Sequence, residues 1–329
     1  MRARWCQVMV VASTSLGIFL IWLLFSSFSL SAQDAFTALL STPLWLYAVV
    51  ICCTFSNQVV GALKWQVAAQ HVAQPNAGPS FFRMVELTTL GALFGQLIPV
   101  QLSTLLARWF LVGREVRGSG YAARATIYEQ TFDLILIIAG TAGGLAVIVL
   151  SLQPATGLVT MACVVGAFLL GLRRCLRGIA AVFRAMQDRG LWVRVAAPAT
   201  EGFSRAALAR VGTLGVLSLL SLLRLVLVGV RAVAVLAFFA PETASLLVFT
   251  ASPGIALLSA LPIAPAGLGM AEWSWSAILV LGGTAAPVAA VAALTVRLTN
   301  VVALLVVVGT LGIGSRFRVM STEARQSGA

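Results

Sequence analysis

Eight long apolar runs dominate this chain, at about 6–31, 43–63, 84–113, 126–152, 156–172, 211–240, 244–281 and 286–313. A globule in water cannot hide so many in succession. A bilayer can, at about 20 residues per helical crossing. The composition agrees, with 60% of the 329 residues hydrophobic and 10% charged, whereas soluble domains average roughly half and a quarter. A soluble enzyme and a disordered chain are therefore excluded. The runs are continuous, not alternating, which argues against an outer-membrane barrel.

The net charge is +12, but the arginines flank apolar runs and form no basic stripe on a polar fold. Anionic lipid head groups and the membrane potential are the expected partners, not nucleic acid. Cys6, Cys52, Cys53, Cys163 and Cys175 show no CxxC or Cys/His spacing, so no disulfide framework, metal or cofactor is expected. His71 is the sole histidine and reads as a solvated loop residue. No catalytic group is visible: Ser103, Thr104 and Ser274 have no histidine nearby and no P-loop is present, so the chain does not read as an enzyme. Arg2 and Arg4 precede an apolar run too long for a signal peptide, whose core spans about 7–15 residues; the run reads as a first transmembrane helix.

Lysine and arginine mark cytoplasmic loops. Arg2 and Arg4 place the N-terminus inside, helix one leads to an uncharged 32–42 loop, and helix two returns to Lys64 and Arg83. Lys64-Trp65 reads as an interfacial anchor, and Glu86 as interfacial. Were 84–113 to span, Arg114, Arg117 and Arg124 would fall outside. Pro99 at its middle breaks the helix, leaving two arms of about 21 Å, long enough to reach the midplane and not to cross. It reads as a re-entrant hairpin. Segment 126–152 then goes out, and 156–172 returns to a cytoplasmic loop at 173–210 that carries eight arginines. Segment 211–240 goes out again. Segment 244–281, broken around Pro262 and Pro265, reads as a second hairpin open to the outside. Segment 286–313 returns to a cytoplasmic tail at 314–329. The prediction is an all-α polytopic protein in a bacterial-type inner membrane. It forms one domain over 1–329, with about six spans and two opposed hairpins, both termini cytoplasmic.

The two halves share one plan. Helix, helix, hairpin, helix covers about 1–152 and again about 156–313, facing the other way. This is the pattern of an inverted-topology repeat, whose substrate site lies near the midplane at the repeat interface. Each hairpin has a proline, then a charged residue, then tryptophan: Pro99, Arg108, Trp109 in one and Pro262, Glu272, Trp273 in the other. The helix that follows carries the opposite sign, Glu129 after Arg108 and Arg297 after Glu272.

Ionisable groups within membrane segments are costly and mark function or pairing. Arg108–Glu129 and Glu272–Arg297 are candidate ion pairs. Two readings fit: each pair pins a hairpin to its neighbouring helix, or an anionic head group competes for the arginine. Arginine suits phosphate because its planar donors bind bidentately. Glu129 and Asp133, four apart on one helix face, could share a proton and, with Glu272, couple transport to protons; alternatively Asp133 is hydrated at the membrane edge. Arg224 and Arg231, seven apart, suggest a head-group relay. Gly267 and Gly269 offer backbone amides at the start of a returning arm, or simply close packing.

These residues resemble the transmembrane domain of lysylphosphatidylglycerol synthases, also called flippase-like membrane proteins. The likeness is carried by Gly95-Gln96-Leu97-Ile98-Pro99 followed by Arg108, by Tyr128-Glu129-Gln130-Thr131-Phe132-Asp133-Leu134, and by Pro262, Pro265 through Glu272, and Arg297. It spans nearly the whole chain. The resemblance implies lipid translocation; in two-domain members this domain flips an aminoacylated phosphatidylglycerol made by a fused synthase domain. No such domain follows Arg316 here, so synthase activity is not expected. The chain departs from the family at Val100–Ala107, where a glycine-rich stretch with an acidic residue is usual, and at Gln130, where arginine is usual. The expected function is translocation of an anionic or aminoacylated phospholipid, or a polyisoprenyl-phosphate-type lipid. The alternatives are a secondary transporter of a small solute and an accessory subunit for a lipid- or glycan-modifying enzyme, docked on the arginine loop.

Overall fold

The computed structural model describes residues 2–72, 79–96, 98, 103–108, 119–150, 154–188, 200, 204, 210–261, 264 and 267–327. Every regular element among them is helical: α1 (Arg2–Ser27), α2 (Ala32–Ser41), α3 (Leu44–Val72), α4 (Phe81–Phe94), α5 (Ser119–Val149), α6 (Pro154–Asp188), α7 (Val211–Phe239), α8 (Ser245–Ala260), α9 (Met270–Leu281) and α10 (Ala286–Ser327). Among the described residues, five helices are long and apolar enough to cross a membrane, within α3, α5, α6, α7 and α10. The remaining expected span, α1, has 26 residues, about 39 Å of helix. Large apolar side chains remain on the outside, with Leu170 of α6 92% exposed and Leu44, Val149 and Leu281 also bare. In water they would be an aggregation surface; in a bilayer they face acyl chains. The chain is an all-α polytopic membrane protein.

Both broken segments fold back on themselves. Ser103 donates to the Gly91 carbonyl at 2.7 Å, and five residues on Arg108 reaches Thr88 at 3.0 Å, so the helical segment 103–108 runs antiparallel to α4. In the second, Gly267 lies against Ser259 near the tip. Thr243 donates to the Leu279 carbonyl and bonds Thr284 at 2.8 Å at the open end. The arms α4, α8 and α9 have 14, 16 and 12 residues, or about 18–24 Å, shorter than the ~30 Å hydrocarbon core. Pro99, Pro262 and Pro265, the expected breaks, lie outside the described residues.

Packing is reciprocal between the halves. The helices α3 and α7 pack on each other at the centre; α3 meets α10 as α7 meets α5, and α4 meets α10 as α8 meets α5. Small residues permit the closest approach: a Cβ on Gly140 would lie 2.9 Å from Pro253, and one on Gly144 would lie 2.4 Å from the Thr250 carbonyl oxygen. The outermost helices break the pattern, since α6 lies along α5 and α8 while α1 docks on α9.

Four expectations are corrected. The 32–42 loop is a helix: Ser31 and Asp34 form a reciprocal capping box, which starts a helix wherever apolar residues follow. The second span does not stop at Lys64 but runs on to Val72. The arginine-rich stretch begins as helix, because α6 carries Arg173, Arg174, Arg177 and Arg184 as far as Asp188; most of 189–209 lies outside the described residues. The expected tail continues α10 to Ser327. Strong helix formers at these ends outweigh the loss of hydrophobicity on which the boundaries were placed. Cys52, Cys53, Cys163 and Cys175 are free.

Candidate functional site

Hairpin arms and long helices converge on one cavity of about 580 Å³. The first hairpin contributes Gln96, Thr104 and Arg108; the second contributes Ser259, Glu272 and Trp275. Between them α3 supplies Asn57, α5 Glu129 and Asp133, α7 Arg224 and Arg231, and α10 Arg297 and Asn300. Seven of the nominated charged residues thus share one wall. Much of the remaining lining is aliphatic, and it includes Leu134 and Leu261, two of the exposed large apolar side chains.

The charges beside the first hairpin form a network that includes Arg224 of α7, with the Arg108 Nε left buried without a partner. The Arg108 guanidinium is buried, donating to Glu129 Oε2, to Thr88 at 3.0 Å and to Thr126 at 3.4 Å. It also stacks over the buried Trp65 ring at 4.3 Å. Cation–π contact and hydrogen bonds offset the desolvation that burial imposes. Lys64, itself fully buried, donates to Asp133 Oδ1. Arg224 donates to Asp133 Oδ2 and lies 3.6 Å from Glu129 Oε1, while its Nε reaches Asn57 at 3.3 Å.

Several expectations change here. Lys64-Trp65 is not an interfacial anchor: α3 continues beyond it and both side chains are buried. Asp133, expected either to be hydrated at the membrane edge or to sit with Glu129, lines the cavity and pairs with Lys64 and Arg224, and the Arg224 guanidinium stands between the two carboxylates. His71 sits in the last turn of α3, not in a loop, and stacks on Tyr128 at 5.7 Å. The expectation for Glu86 is unchanged by its pair with Arg83 at 2.8 Å.

The charges beside the second hairpin are Glu272 and Arg297. Arg297 donates from Nε to Glu272 Oε1, and its side chain is 17% exposed. The other Glu272 oxygen accepts the Gly269 N–H at 2.8 Å. The carboxylate therefore caps α9 from its third residue while holding α10. Gly267 and Gly269 do not line the cavity. Both have positive φ, +64° and +81°, and a Cβ on Gly269 would come within 2.2 Å of Leu20. They provide the turn and let α1 approach, where Trp273 donates to the Leu20 carbonyl at 3.0 Å. The Gly269 amide proposed for an anion is taken by Glu272.

Arg231 stands apart. It donates to Asn300 Oδ1 and to Thr54 at 3.3 Å, and its Nε is buried without a partner. No carboxylate pairs with it among the described residues.

Sequence reasoning missed Lys64, Asn57, Thr54 and Asn300. A signal existed: Thr54, Asn57 and Lys64 recur at helical spacing in an otherwise apolar run, so they share one face, and Asn300 follows Arg297 by three.

No match is found among curated proteins. A family model does match, over residues 9–309, which takes in both hairpins and every charge that lines the cavity. The chain belongs to the family of the lysylphosphatidylglycerol synthase TM region.

Proposed function

We propose that the protein is a lipid translocase. The observation that carries this reading is the cavity: a cluster of charges sits among aliphatic walls inside a membrane protein, flanked by exposed Leu134 and Leu261. A lipid needs such a path, polar for its head group and open to acyl chains at the side. Family membership supports a lipid-related role. The reciprocal packing of the halves supports an inverted repeat, and the short arms support hairpins that enter from opposite faces without crossing. On the positive-inside rule both termini are cytoplasmic. Arg108–Glu129 fixes the first hairpin to α5, leaving Arg224, Arg231 and Arg297 to meet the head group. Glu272 orients Arg297 and holds the second hairpin closed. The chain carries no chemistry on the lipid; it moves it.

The test is lipid flipping in proteoliposomes, using a panel of anionic, aminoacylated and polyisoprenyl phosphate lipids. Transport is expected for at least one class and is lost in Arg297→Ala and Glu272→Gln proteins that elute and melt as folded. Unimpaired transport by both variants would refute the assignment.

A further inference from the structure

The charge inventory at the cavity restricts which head group it can receive. Among the described residues that line it, four cations, Arg108, Arg224, Arg231 and Arg297, meet three carboxylates, Glu129, Asp133 and Glu272, and the buried Lys64 pairs with Asp133 from behind. All six carboxylate oxygens are engaged. Arg108 and Arg224 take those of Glu129, Lys64 and Arg224 those of Asp133, and Arg297 and the Gly269 amide those of Glu272. An incoming ammonium would have to share these carboxylates with the cations already paired to them. It would meet a surplus of positive charge in a low-dielectric wall, where repulsion is strong.

An anion meets the opposite situation. Arg231 is a cation in mid-helix, in an apolar segment, with only neutral oxygens of Asn300 and Thr54 as partners and an unpartnered buried Nε. Holding a guanidinium there without a carboxylate among the described residues costs stability. A phosphate oxygen would supply both the missing charge and the missing acceptor.

We infer that the cavity is selective for an amine-free anionic head group, a phosphodiester or phosphomonoester, and that Arg231 with Asn300 seats its phosphate. This rests on the translocase reading and narrows it: the aminoacylated lipids of the family's name would be rejected.

The test is binding, measured by native mass spectrometry on the purified full chain titrated with phosphatidylglycerol, lysylphosphatidylglycerol or inorganic phosphate. Phosphatidylglycerol is expected to bind about tenfold or more tightly than the lysyl form. Arg231→Gln should lose about tenfold for phosphatidylglycerol, the worth of one charge-assisted hydrogen bond. Arg231→Lys should keep most of the affinity. The melting temperature of Arg231→Gln should stay level or rise, which a merely structural arginine would not allow. Equal affinity for the lysyl lipid would overturn the inference, as would undiminished phosphatidylglycerol binding by Arg231→Gln. Inorganic phosphate binding as tightly as the lipid, with loss in Arg231→Gln, would keep the anion seat and refute the lipid reading. Phosphatidylglycerol bound at Arg231 but not flipped in vesicles would likewise keep the seat and remove the translocase.

Discussion

The two hairpins share a backbone plan and differ in how their charges are closed. In the first, Arg108 is sealed in by a carboxylate, two threonine hydroxyls and an indole ring, and lies beside a second cluster of Lys64, Arg224 and Asp133. In the second, Glu272 holds Arg297, which remains partly exposed. The mirrored order of charges is therefore no proof of mirrored roles. A sealed pair contributes position. A pair with an exposed arm can exchange partners, and Arg231 of α7, bonded to Asn300 three residues after Arg297, has no carboxylate partner among the described residues.

That contrast can be broken by unequal or equal responses to the same chemistry. The largest effect is expected for Glu129→Gln, which strands Arg108 in a dry site at a cost of about 3–5 kcal/mol; denaturant unfolding in detergent reads this directly. Equal costs for Glu129→Gln and Glu272→Gln would erase the distinction between the hairpins. Lys64→Met should cost less, about 1–3 kcal/mol, because Arg224 still holds Asp133 and the methionine fills the volume. For Arg297→Gln the expected split is a loss of transport with a stability cost of about 1–2 kcal/mol, since Gly269 keeps its bond to Glu272. The smallest effect, about 1 kcal/mol, belongs to Ser31→Ala, which removes the cap of α2 far from the cavity and should leave transport untouched.

How much of this was legible in the sequence follows from which physical signal each feature leaves. Continuous apolar runs announce membrane helices, so the class and most spans were readable. The two pairs were readable because a charge in an apolar run must find its opposite, and Arg108–Glu129 and Glu272–Arg297 are the combinations the repeat suggests. Helix ends were not readable from hydropathy. Lys64 and His71 interrupt the apolar pattern without interrupting the helix, since lysine is a good helix former and its charge is met by a residue 69 positions away. That partner is tertiary information. The same limit hid the bridging of Glu129 and Asp133 by Arg224: spacing places two carboxylates on one face but does not say what stands between them. Gly267 and Gly269 offered two readings, and the collision a Cβ on Gly269 would make with Leu20 belongs to the packing of α1, which spacing does not encode.

The central claim is that a lipid head group occupies the cavity between the hairpins, and photo-crosslinking tests it most directly. A phosphatidylglycerol bearing a diazirine on its head group would be activated with the full chain in a bilayer and the labelled peptides mapped. The account predicts label on Ser259, Trp275 and Thr104, competed by unlabelled phosphatidylglycerol and reduced by Arg231→Gln. Label confined to outward-facing surfaces such as Leu170 and Val182 of α6, unchanged by competitor, would contradict it.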